Sequence, residues 1–273
     1  MTKKLKLFLV LILLIHSKGQ SQTIDTLINV NGLKMHFVIT KGEGIPILFE
    51  SGNGGDASDW ISILDEIHKK TNATLITYDR AGLGKSEIDT TNVNFKQEIN
   101  NLEKGLKTLG YNKKIFLVSH SFGSFYSSLF AHRNKSEIMG AVFIDVATPC
   151  YFTEKWTTDY TNSLKKTEDW KWIKQNKIGL YYVLKQLPKI SIYMQDRFIP
   201  SSIPLTLIRA ENLPPSSIVK DEERRKWISC LQEFGELPNH RYVVAKNADH
   251  IVWEKDPQLV IDEITKLYLK VAG

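Results

Sequence analysis

Cysteine is scarce: the 273 residues hold two, Cys150 and Cys230. An oxidising compartment would allow them to pair. They stand far apart in the chain, so a bond and two separate thiols are equally open. No grouping of His, Cys and Asp has the spacing of a metal site, and no cofactor is expected. No internal repeat or low-complexity tract is visible. No apolar run reaches the roughly 20 residues of a membrane-crossing helix. Acidic residues are missing from residues 1–21, which carry Lys3, Lys4, Lys6 and Lys18. Those four lysines account for most of the formal net charge of +6, and the remaining chain carries only +2. That is too weak for a nucleic-acid surface, so no nucleic-acid partner is expected.

What is present at the amino terminus reads as a processing segment. A basic start is followed by the apolar run Leu7 to Ile15 and a polar stretch, His16 to Gln22. This is the layout of a secretory signal peptide. Gly19-Gln20-Ser21 offers small residues for cleavage after Ser21, giving a signal peptide over 1–21. No cysteine near this junction supports a lipid anchor. The expectation is export, periplasmic or secreted, with the membrane involved only in that step.

The mature chain alternates strand and helix. Thr23 to Ile39 alternates about Asn31-Gly32, the signal of a type I′ hairpin. Ile45 to Glu50 reads as a strand, followed by Ser51-Gly52-Asn53-Gly54-Gly55 and a helix from about Ser58. This glycine cluster lacks the phosphate-loop pattern. It suits a backbone that brings N–H groups close to a substrate oxygen. Ala73 to Tyr78 is the next strand, then the loop Asp79-Arg80-Ala81-Gly82-Leu83-Gly84-Lys85-Ser86, whose Asp79 and Arg80 are expected to pair or cap within it. Phe95 to Leu109 has helical apolar spacing. Met139 to Val146, Pro204 to Arg209 and Arg241 to Ala245 are further strands. Asp221 to Phe234 and a stretch from Pro257 to about Lys270 are helices. Between Cys150 and Ile203 the strand rhythm stops. Trp156, Trp170, Trp172, Tyr181 and Tyr182 lie there at helical spacing, as in an inserted helical cap. The organisation is thus a core over 22–149, a cap over 150–203 and a second part of the core over 204–273.

The chemistry centres on Ile115-Phe116-Leu117-Val118-Ser119-His120-Ser121-Phe122-Gly123. Four apolar residues make a buried strand, and small-x-Ser-x-Gly makes a sharp turn into a helix. A serine at such a corner sits in a strained conformation and needs small residues two positions away on either side; Ser119 and Gly123 meet that need. Ser121, Asp145, Glu211 and His250 all fall at the carboxyl ends of strands, where mostly parallel sheets gather their sites.

The Ser-His-Ser-Phe-Gly turn, the Ser51–Gly55 loop, the Asp79–Ser86 loop and the late His250, in this order, resemble the α/β-hydrolase fold family. The resemblance covers nearly the whole mature chain outside the cap. It implies a mostly parallel central sheet with helices on both faces and an inserted cap. It implies a serine hydrolase, carboxylesterase-like, acting on a small-molecule acyl substrate. Ser121 would be the nucleophile, His250 the base and Asp145 the acid. Asp145 is favoured over Glu211 as the shorter carboxylate directly at a strand end. The oxyanion hole would use the N–H groups of Asn53 and Phe122. Ser51 stands where the family usually has His. His120 reads as a pocket wall, and Asp249 as a loop-bonding residue. A serine rather than an aspartate at the elbow argues against dehalogenase or epoxide-hydrolase chemistry. Two alternatives remain: an aminopeptidase resembling proline iminopeptidases, and a non-catalytic binding protein on the same fold.

Overall fold

The structure is a computed structural model and describes residues 22–213 and 220–273. The expected signal peptide over 1–21 lies outside the described residues. The first hairpin forms from β1 (Thr23–Val30) and β2 (Leu33–Thr40), joined by Asn31 and Gly32 at φ +56° and +87°. Both turn residues are left-handed, the geometry that matches strand twist in a two-residue loop. β3 (Gly44–Glu50) leads through a short 3₁₀ turn to α1 (Ile61–Thr71), and β4 (Ala73–Tyr78) follows. α2 (Phe95–Leu109) starts on Asn94, whose side chain accepts from the Lys96 N–H, and stops at Gly110 with φ +84°. Cap and left-handed stop fix both ends of the helix.

β5 (Ile115–His120) turns directly into α3 (Gly123–Arg133), and β6 (Ile138–Ile144) comes next. The chain then runs through α4 (Glu154–Leu164), α5 (Glu168–Asn176) and α6 (Ile178–Met194) before rejoining the sheet at β7 (Leu205–Ala210). α7 (Asp221–Gly235), β8 (His240–Ala245), α8 (Val252–Lys255) and α9 (Pro257–Ala272) complete it.

The eight strands form one sheet in the order β1-β2-β4-β3-β5-β6-β7-β8. Only the β1–β2 and β2–β4 pairings are antiparallel. Alternate residues of the central strands feed two cores. Leu117 and Phe143 pack with α2 and α3 on one face; Phe116, Val118, Val142 and Ile144 pack with α1 and α9 on the other. Burial on both faces is why these strands read as unbroken apolar runs.

The helices inserted after β6 sit over the rim where the parallel strands end. The Gly179 N–H donates to the Gly82 carbonyl at 3.2 Å, and Lys177 Nζ reaches the Gly54 carbonyl at 3.3 Å. A Cβ on Gly179 would lie 2.3 Å from the Ala81 carbonyl oxygen. A Cβ on Gly82 would in turn lie 2.9 Å from Gly179 N, so these two glycines serve a close backbone contact between the Asp79–Ser86 loop and the cap.

The two cysteines are joined. Cys150 and Cys230 form a disulfide with their Cα atoms 5.6 Å apart. Sequence left this open because a separation of 80 positions carries no information on the distance in space between its ends.

Candidate active site

Ser121 follows the last residue of β5 and has φ +52°. That left-handed conformation is costly for a residue with a Cβ and marks a strained corner. It is held from both sides. The Ser121 N–H donates to the Ile144 carbonyl at 3.1 Å, and the Ser121 carbonyl accepts from Ala147 N–H at 3.0 Å. The small flanking residues are needed here. A Cβ on Gly123 would lie 2.5 Å from the Ser51 carbonyl oxygen. Ser119 is fully buried, its hydroxyl bonded to that of Ser127.

Three side chains that are far apart in sequence meet. His250 Nε2 lies 2.9 Å from Ser121 Oγ, and His250 Nδ1 lies 2.7 Å from Asp145 Oδ2. A carboxylate can only accept, so Nδ1 carries the proton and Nε2 presents its lone pair to the serine hydroxyl. Asp145 is buried and has φ +43°. Its other oxygen accepts from the Ala210 N–H at 3.1 Å, which fixes its aim. β6 ends at Ile144 rather than Val146 because this reversal at Asp145 stops the strand.

Glu211 is not part of this group. It accepts from Lys246 Nζ at 2.8 Å and the Asn247 N–H at 2.9 Å, and these bonds hold its carboxyl below the usual range. Asp249 accepts from the Asn212 side chain at 3.1 Å.

His120 is buried beneath His250, with ring centroids 4.6 Å apart, and edges onto Trp253 at 4.8 Å. Burial, with a smaller contribution from the neighbouring His250, pushes its imidazole down to about 3. It is neutral across the working range of an enzyme. Its Nε2–H donates to the His250 carbonyl at 3.0 Å, supporting His250 from its main chain.

The Ser51–Gly55 loop passes beside Ser121. A Cβ on Gly52 would lie 2.8 Å from His120 Nδ1 and 3.2 Å from Ser121 Cβ, so only glycine allows this approach. Among the described residues, neither the Asn53 nor the Phe122 N–H donates to a protein acceptor. Ser51 is buried and structural: its hydroxyl donates to the Asp56 carbonyl at 2.7 Å and accepts from Trp60 Nε1 at 3.0 Å.

The loop is fixed by a residue whose role the sequence did not disclose. Arg80 does not cap its own loop. It crosses to the next strand end, where Nη1 donates to Glu50 Oε1 at 2.7 Å and the Ser51 carbonyl at 2.8 Å, and Nη2 donates to the Gly52 carbonyl at 2.5 Å. Tyr78 donates to the second oxygen of Glu50, and Tyr126 lies under the guanidinium at 4.5 Å. Burial pushes Glu50 up to about 7, against the pull of Arg80. Asp79 takes a separate part, accepting from the Ala57 and Lys85 N–H groups at 2.8 and 2.7 Å and contacting His36 Nδ1 at 2.7 Å. Pairing of β3 with β4 is the signal that connects Arg80 to the Ser51–Gly55 loop.

Among the described residues, no group of three or more His, Cys, Asp or Glu side chains could hold a metal ion.

A family model described as the alpha/beta hydrolase fold matches residues 45–169. An uncharacterized protein, YqjL of Bacillus subtilis (strain 168), is 24% identical over 238 residues, covering 85% of this chain and 87% of that protein. Among solved structures, the haloalkane dehalogenase DatA from Agrobacterium tumefaciens C58 superposes with a TM-score of 0.67 at 14% identity, over 92% of this chain and 97% of that one. A thermophilic esterase from Thermogutta terrifontis does so with a TM-score of 0.61 at 16% identity, over 93% and 100%. Strand order, the family model and these structures agree that the chain is an α/β-hydrolase-fold protein.

Proposed function

We propose that this protein is an exported serine hydrolase that cleaves an ester or related acyl bond. The observation that carries the reading is the continuous hydrogen-bonded line from Asp145 through His250 to Ser121. In this mechanism His250 Nε2 takes the Ser121 proton as Oγ attacks the acyl carbon. The N–H groups of Asn53 and Phe122 receive the developing oxyanion, each worth roughly a hundredfold in rate. His250 returns the proton to the leaving group. Water, deprotonated by His250, then releases the acid from Ser121. Asp145 stabilises the imidazolium and holds its tautomer.

Esterase and dehalogenase are both found among chains of this shape. The serine at the elbow favours acyl transfer, since dehalogenation on this fold uses a carboxylate nucleophile. Export is supported by the basic and apolar start of residues 1–21 and by the Cys150–Cys230 disulfide, a bond that persists in oxidising compartments.

A fluorophosphonate probe tests the reading. Ser121 is expected to label in the folded protein, and Ser121→Ala to lose both label and turnover of p-nitrophenyl esters while unfolding at the same temperature. A wild-type protein that is folded and never labels would make it a binding protein instead. Amino-terminal sequencing of the exported protein is expected to begin at Gln22.

A further inference from the structure

The geometry points to the alcohol half of the substrate, an inference that rests on the hydrolase reading above. A cavity of about 270 Å³ opens beside His250 and Asp145. Its walls are aromatic: Tyr151 and Phe152 precede α4, Trp156 is on α4, and Trp227 is on α7. Ring centroids lie 4.9 Å apart for Tyr151 and Trp156, 5.0 Å for Tyr151 and Trp227, and 4.8 Å for Phe152 and Trp156. Glu223 and Arg224 also line it; Arg224 Nε lies 3.8 Å from the Asp221 carboxylate, and Glu223 accepts from the Lys220 N–H at 3.4 Å. Asp145 is already engaged by His250.

Stereochemistry decides which half of an ester enters. When Ser121 Oγ bonds to the acyl carbon, the carbonyl oxygen turns to Asn53 and Phe122. The bond that breaks joins the acyl carbon to the alcohol oxygen, and that oxygen must face His250 Nε2 to receive the proton lost by Ser121. Its substituent therefore lies on the His250 side, in this cavity. A space just under the roughly 300 Å³ at which ligand sites usually begin takes a ring on a short arm, not a long chain. Flat aromatic walls favour a ring.

We propose that the cavity binds the alcohol portion of the substrate and that the substrate is an ester of a benzyl-type alcohol. The test uses the full mature chain and three butyrate esters, ethyl, benzyl and choline, each rate normalised to alkaline hydrolysis. The benzyl ester is expected to exceed the ethyl ester in kcat/KM by tenfold or more, about what burial of a ring supplies. The choline ester should fall below the benzyl ester, since an ammonium head lacks the ring's flat faces. Trp227→Leu should lower the benzyl-to-ethyl ratio several-fold, and Trp156→Leu supplies the same readout if the first variant fails to fold. A wild-type ratio near one, a preference for choline, or a ratio unmoved in the folded variants would overturn the assignment. If Ser121 labels with the fluorophosphonate but the ratio is near one, only the alcohol assignment falls. If it neither labels nor turns over any ester, the hydrolase reading falls with it.

Discussion

Removing the disulfide gives the most quantitative prediction. Cys150 lies just after β6 and Cys230 inside α7, so the bond closes a loop that contains every cap helix and β7. Its 5.6 Å Cα separation falls in the ordinary range for unstrained bridges. With 80 residues of separation, the chain-entropy relation gives about 4.5 kcal/mol at 25 °C from restriction of the unfolded chain. For a chain of this size that corresponds to a fall in Tm of roughly 10 °C. The double variant Cys150→Ala/Cys230→Ala avoids leaving a lone thiol. Urea denaturation of the variant and of oxidised wild type measures the difference, with reduced wild type as a third sample expected to match the variant. The bridge also stands next to Tyr151 and one helical turn from Trp227, whose rings touch. Losing it should therefore lower the benzyl-to-ethyl ratio as well as the stability. A loss below about 1 kcal/mol would refute the reasoning, because removing a native bridge typically costs about 2–5 kcal/mol.

Asp145→Asn should lower kcat by roughly three to four orders of magnitude, because the amide cannot hold the His250 tautomer; Glu211→Gln should stay within about twofold in the same ester assay. The reverse ranking would move the acid to Glu211. Arg80→Lys keeps a charge beside Glu50 but loses the fork that holds two carbonyls, so kcat should fall by about tenfold or more with little change in KM. Unchanged kcat would separate Arg80 from the oxyanion loop. Arg80→Met should in addition cost ~3–5 kcal/mol in urea denaturation, since it leaves Glu50 buried without its partner. His120 is held neutral in the fold, while the unfolded chain takes up a proton below the ordinary imidazole value of 6.5. The unfolded state then binds more protons, so stability falls as pH drops from 6.5 toward about 3. His120→Gln should flatten that acid limb in urea titrations at pH 4 and 7, and an unaltered slope would show that His120 does not drive it.

Where one interaction range dominated, the sequence was a sufficient guide. α2 and β4 begin and end at the residues their patterns indicate, because cap, period and stop all act within a few positions. At the elbow β5 continues past its four apolar residues through His120, and α3 starts already at Gly123, since the corner is a single strained residue with no loop around it. The short α8 after His250 gives no separate periodic signal. Strand-end placement was enough to list the residues that could share a rim. It could not reveal what links two loops across neighbouring strands. Arg80 and Gly52 are 28 residues apart in the chain, and only the pairing of β3 with β4 makes one the anchor of the other.

The choice between two carboxylates shows what fixes the site in this fold. Asp145 and Glu211 end adjacent, hydrogen-bonded strands, so either is close enough in principle. Side-chain length is a weak discriminator over one strand spacing. Backbone direction is a strong one. At Asp145 the chain reverses through a left-handed residue, and the Asp145 N–H still donates to the Ile208 carbonyl at 2.7 Å, so the turn is locked to the sheet. Glu211 also keeps a sheet bond, its N–H donating to the Ala245 carbonyl at 3.0 Å, but its carboxylate turns toward the loop after β8 and is neutralised there by Lys246. Ser121 and Asp145, on neighbouring strand ends, are thus both held by left-handed corners whose strain the surrounding ladder over-determines. A substitution that relaxed either corner would swing its side chain away from His250 while leaving the strands in place. Two such corners facing one imidazole are therefore a stronger mark of purpose than the residue types alone.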